Sequence, residues 1–132
     1  MSTQELAHAV EIYAAVHFAA IGLSHLFQPQ VWVQFFVVLR SQGHAGVFMN
    51  GFMSLMFGSV IVAFHDVWSW PGVILTLIGW AQIAKALVAF TLPALSMRGL
   101  NHVSPERAWE FRVGGVVFLA LAAWLIARLA MS

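Results

Sequence analysis

Apolar residues fall into four blocks, about 6–27, 45–64, 71–92 and 105–131. Each is close to the roughly 20 residues that a bilayer-spanning helix requires. The breaks between them carry the punctuation of helix ends. Ser2-Thr3-Gln4-Glu5 fits a capping box, with Ser2 as the cap and Glu5 reaching back. Gln28-Pro29-Gln30 closes the first block, Gly43 opens the second, and His65-Asp66 ends it. Pro71 suits a first helical turn, where its missing N–H costs nothing, and Pro93 stops the third block. Ser104-Pro105-Glu106 opens the fourth with a good cap, a proline and an acid. The stretch 31–39 is too short to span; Trp32, Phe35 and Phe36 alternate there with Gln30, Gln34 and Arg40 at its flanks. It reads as an interfacial helix on the membrane surface, or as a continuation of the first helix beyond a kink.

The pattern predicts an all-α membrane protein: one domain over 1–132, a four-transmembrane-helix bundle with a short interfacial helix between the first two spans. Spans one with two and three with four are compatible with two antiparallel hairpins, although no motif recurs between the halves. Ser54 with Gly58, Ala123 with Ala127, and Gly114-Gly115 place small residues where membrane helices approach closely.

Composition agrees and narrows the function. Hydrophobic residues make up 61% of the chain and charged residues 8%, against about 25% charged in soluble domains. A formal net charge of +1 supplies no basic patch for nucleic acid. Absence of cysteine removes disulfides, thiolate metal sites, iron–sulfur clusters and cysteine nucleophiles. The first Lys or Arg is Arg40, so the opening segment lacks the basic start of a cleaved leader. Arg40, Arg98, Arg107 and Arg112 border one side of the spans and Arg128 alone the other. The positive-inside rule then places both termini outside, in the periplasm of a bacterium.

Chemistry has few places to reside. Lys85 stands in a span otherwise free of charge, where a lone cation costs about 3 kcal/mol. It lies about 12 Å along the helix from Pro93; Glu110, five residues past Pro105 on the next span, reaches a similar depth. A Lys85–Glu110 ion pair is expected, with Gln82, Asn50, His25 and Arg112 on the same side forming a buried polar site. A snorkelling Lys85 is the alternative. At the opposite side, His8 and Glu11 share a helix face and His65-Asp66 ends the next span. These four offer the imidazole and carboxylate ligands of a divalent metal, or else a solvated helix end. His17, halfway across the first span, is either a neutral histidine bonded to a neighbouring helix or an axial haem ligand. Haem would need a second histidine at that depth, and no other span has one. Trp32, Trp68, Trp70 and Trp109 fall at interfacial positions, whereas Trp80 and Trp124 lie within spans. Met49, Met53 and Met56 form a stripe that suits adaptable packing better than copper.

The run His65-Asp66-Val67-Trp68-Ser69-Trp70-Pro71, with Thr76-Leu77-Ile78-Gly79-Trp80 and Lys85 after it, resembles a pattern in small four-helix bacterial inner-membrane proteins. These are similar in size and topology to DoxX-like proteins. Asp66 departs from the asparagine expected after that histidine. The resemblance implies a bacterial inner-membrane setting and assigns no catalytic role.

Three functions are compatible with these residues. The first is a binding or accessory subunit of a membrane complex, or a lipid or quinone binder. The second is an oligomeric small transporter or proton-coupled channel using Lys85 and Glu110. The third is a metal- or haem-linked redox protein. No nucleophile, dyad or phosphate loop marks an enzyme. The bilayer is the expected partner, with further membrane subunits or copies of the chain. A C-terminal alkaline phosphatase fusion is expected to be active and a green fluorescent protein fusion dark; the reverse pair overturns the orientation.

Overall fold

The capping box forms as the sequence predicts: Ser2 N donates to Glu5 Oε2 at 2.8 Å, and Glu5 N to Ser2 Oγ at 3.1 Å. From there α1 runs Thr3–Phe27, the first of the helices in a computed structural model that describes residues 1–131. Gln28 breaks it, and Pro29 starts α2 (Pro29–Ser41) from its first turn. Gly43, at φ 63, turns the chain into α3 (His44–Phe64); that left-handed backbone is cheap only for glycine. A loop leads to α4 (Val73–Thr91). Pro93 ends α4 and also opens α5 (Pro93–His102). A single 3-10 turn, Pro105–Arg107, precedes α6 (Trp109–Ala130).

The chain is a multi-pass membrane protein with four helices long and apolar enough to cross a bilayer: α1, α3, α4, and the 3-10 turn continued by α6. The stretch 31–39 belongs to a separate helix, α2, and not to a continuation of α1. The polar connection after Pro93 is a second short helix, α5, which the sequence did not predict because Ser96, Arg98 and Gly99 weaken its helical signal. Arg40 joins the two, donating from Nη1 to the carbonyls of Leu100 at 3.1 Å and Val103 at 2.9 Å. Carbonyls at a helix C-terminus lack intrahelical partners, and a guanidinium satisfies them.

The hairpin expectation is corrected. The closest packing is α1 on α6 and α3 on α4; α1 also touches α3, while α4 and α6 barely meet. Glycine decides this. A Cβ at Gly115 would lie 2.8 Å from Gly22 O, and one at Gly58 would lie 2.8 Å from Gly79 O. Without a hydrophobic drive between helices in lipid, such backbone approach supplies the dispersion contacts that select partners. Gly115 and Gly58 were visible as small-residue positions; their partners were not. Ala123 and Ala127, also singled out, are exposed. The central core joins Val10, Ala14, Phe18, Phe57, Ile61, Leu75 and Leu125.

Gly115→Val is expected to reduce the unfolding free energy in detergent by about 1–3 kcal/mol, the usual cost of overpacking. Gly114→Val, whose Cβ would meet nothing within 4 Å, should leave the thermal melt nearly unchanged. Equal effects at the two positions would show that the α1–α6 approach does not hold the bundle.

Candidate functional site

Glu11 is the one acid buried within a span, and three elements converge on it. It sits on the second turn-and-a-half of α1, in an otherwise apolar run, with its residue only 6% exposed. His65, just beyond α3, is fully buried; its Nε2 lies 3.0 Å from Glu11 Oε1. Arg128, in the last turn of α6, donates from Nε to the same oxygen at 3.1 Å. Thr76 on α4 completes the group: its Oγ1 lies 3.0 Å from His65 Nδ1 and 2.7 Å from Val67 O.

Counting donors places the protons. Thr76 has one hydroxyl proton, and the 2.7 Å contact gives it to Val67 O. The threonine oxygen therefore accepts from His65 Nδ1–H. One more proton lies between His65 Nε2 and Glu11 Oε1, so those two residues are neutral as a pair in either written form. Arg128 leaves the group with one positive charge. Among the described residues, no fully buried polar side-chain atom lacks a partner, as a low-dielectric site demands.

Beside the network opens a cavity of about 750 Å³. Its polar wall is Gln4, His8, Glu11, Asp66 and Arg128; its apolar wall includes Ala7, Val67, Pro71, Trp124 and Met131. Ligand pockets commonly have about this size and mixture. Nη2 of Arg128 rests beside Gly72, where an added Cβ would come within 3.0 Å. The terminal nitrogens of Arg128 have no acceptor among the described residues.

The other expected site is not assembled as the sequence suggested. Glu110 does not face Lys85: both its oxygens lie 3.0 Å from His102 Nε2, on the newly formed α5. His102 is in turn held by Arg107, whose Nη1 lies 3.1 Å from its Nδ1. The similar depths of Lys85 and Glu110 were legible, but α4 and α6 scarcely touch. Lys85 instead lines a separate cavity of about 390 Å³ together with Asn50. Gln82 packs its β-carbon at Gly58, and Arg112 is exposed. His25 is buried elsewhere, with Nδ1 2.8 Å from Ile21 O and its ring stacked 4.3 Å from that of Trp32.

His8, Glu11 and Asp66 do share one cavity wall, and Glu11 meets His65. They do not assemble a ready divalent-metal centre. Both ring nitrogens of His65 are engaged within the protein, Asp66 accepts from Trp68 Nε1, and no three His, Asp or Glu groups converge on one point among the described residues. His17 stacks on Phe57 of α3 with centroids 4.1 Å apart and touches Tyr13 and Phe18; a ring contact replaces the hydrogen bond or haem iron expected of it. Met49, Met53 and Met56 face outward, as does Trp80, while Trp124 lines the large cavity.

Sequence reading missed Arg128 and Thr76. Arg128 was legible by elimination: a buried acid in α1 needs a cation, and this is the one Lys or Arg on its side. Thr76 gave no signal, since a span threonine usually bonds its own helix.

Comparison with protein-family models, curated proteins and solved structures finds no match to the chain.

Two double-mutant cycles separate the real pair from the expected one. Arg128→Met should cost about 3 kcal/mol, the low end for removing one partner of a buried pair, because the Arg128 side chain is 29% exposed. Combined with Glu11→Gln, it should show coupling above about 1 kcal/mol in reversible unfolding in mixed micelles. Lys85→Met and Glu110→Gln should instead add within about 0.3–0.5 kcal/mol. Strong coupling in the second cycle would contradict the geometry.

Proposed function

We propose that the chain is a non-catalytic binding protein of a bacterial inner membrane, with both termini periplasmic, and that its large cavity takes a lipid-soluble molecule with a quinone-type head. The observation that carries this reading is the juxtaposition of a 750 Å³, largely apolar cavity with the Glu11–His65–Arg128 network. An amphipathic ligand needs apolar wall for its ring and tail. Its carbonyl oxygens need donors, and the terminal nitrogens of Arg128 and the ring of His8 are among those that line the cavity. The shared proton between Glu11 and His65, with the positive charge beside it, suits a head that accumulates electron density on oxygen. Trp124 offers an aromatic face for the ring.

Orientation rests on the arginine asymmetry, and the bacterial setting on the resemblance carried by His65 through Lys85. An accessory role in a larger assembly is consistent with the chain's size and with its lack of a catalytic motif.

A short-chain ubiquinone analogue titrated into the detergent-solubilised protein is expected to bind at a single site. Arg128→Gln removes a hydrogen bond from a charged donor, worth about 1.5–3 kcal/mol, so affinity should fall tenfold or more. His8→Leu, at an exposed wall position, should weaken binding without lowering the melting temperature. No saturable binding to wild type, or equal binding to Arg128→Gln, would overturn the proposal.

A further inference from the structure

Lys85 is a cation within a span that has no partner among the described residues. It stands six residues before Thr91, about 9 Å inside the end of α4, and no hydrogen bond or ion pair reaches it among the described residues. Its expected partner, Glu110, is engaged by His102. An ammonium at that depth is costly unless something compensates it. The cavity it lines holds about 390 Å³ and receives two other polar side chains, Asn50 of α3 and Ser96 of α5, against apolar walls from Phe36, Leu100 and Phe111. Asn50 likewise has no protein partner. A cation, an amide and a hydroxyl thus line one half-open cavity to which, among the described residues, the protein supplies no anion.

We infer that this cavity binds the phosphate head of an anionic glycerophospholipid, with Lys85 on the phosphate and Asn50 and Ser96 on its oxygens. Charge selects an anion. Depth selects a lipid, because the site lies within two turns of the helix end, near the level of lipid head groups. The surrounding surface supplies the track for the tail. Ala81 and Leu77 stand at i−4 and i−8 from Lys85, on one stripe of α4, and both are exposed. An acyl chain laid there from the cavity would run toward the bilayer centre. The volume admits a phosphate with its glycerol and excludes the acyl chains, so the head is recognised and the tail is not.

Lys85 is an exposed residue, and as a snorkelling lysine it would turn from the cavity to the open surface. The cavity geometry instead brings the head group to the lysine. The two pictures differ in selectivity: a snorkelling lysine prefers no single lipid molecule, whereas a lined cavity retains one.

The test is native mass spectrometry of the delipidated full chain in detergent, with added phosphatidylglycerol or zwitterionic phosphatidylcholine. Wild type is expected to retain one phosphatidylglycerol at least tenfold more strongly than phosphatidylcholine. Lys85→Met should abolish that preference, Asn50→Ala should weaken it severalfold, and Lys85→Arg should keep it. Arg98→Met, which changes an exposed arginine outside the cavity, should leave it intact. If Lys85→Met fails to fold, the contrast of Asn50→Ala with Arg98→Met carries the same decision. Equal retention of the two lipids by wild type, or equal loss in Asn50→Ala and Arg98→Met, would overturn the inference. Displacement of phosphatidylglycerol by millimolar inorganic phosphate or glycerol phosphate would overturn the lipid assignment in favour of a soluble anion.

Discussion

A carboxyl group buried in a membrane span must be met from elsewhere in the chain, and much of this molecule is arranged around meeting Glu11. His65 reaches it from the end of α3, braced through Thr76 by α4. Arg128 reaches it from α6. One acid on α1 therefore ties together the ends of all four spans. The alternative, a desolvated polar group with no partner, costs several kcal/mol in a medium without water. The same requirement holds the loop between α3 and α4 in place, since Thr76 also donates to Val67 within it.

The two ends of the bundle treat charge differently. At the end carrying the termini, the cation has an acid inside the protein, and the cavity beside it can use the pair without leaving it exposed. At the other end, acid and histidine pair on the surface between Glu110 and His102, and Lys85 is left facing a cavity. What the protein does not neutralise itself, it leaves for its surroundings to neutralise.

Much of the fold was legible in the sequence, because composition and helix punctuation are local. The four spans, the capping box at Ser2 and the separate helix after Pro29 all follow from residues close in the chain. Pairing between spans was not legible. Apolar blocks read alike from every side, and the decisive contacts are those of Gly22 with Gly115 and Gly58 with Gly79, which no periodicity announces. The site shows the same division. His8, Glu11, His65 and Asp66 stood out because polar residues in spans are rare. Arg128 was counted only toward orientation, and Lys85 was matched to Glu110 by depth, although α5 lay ready to supply His102. Depth along a helix is readable from sequence; azimuth around the bundle is not.

The placement of Arg128 bears on how the molecule is made. It follows Glu11 by 117 residues, and α6, the main neighbour of α1, leaves the ribosome after α3 and α4. Until then the acid has only His65, and the α1 surface that will receive Gly115 has no occupant. Synthesis order thus differs from pairing order: α1 waits for α6. A chain arrested before α6 would hold Glu11 against His65 alone, without the cation that completes the network. Closure of the network in this sense records, at α1, that α6 has arrived.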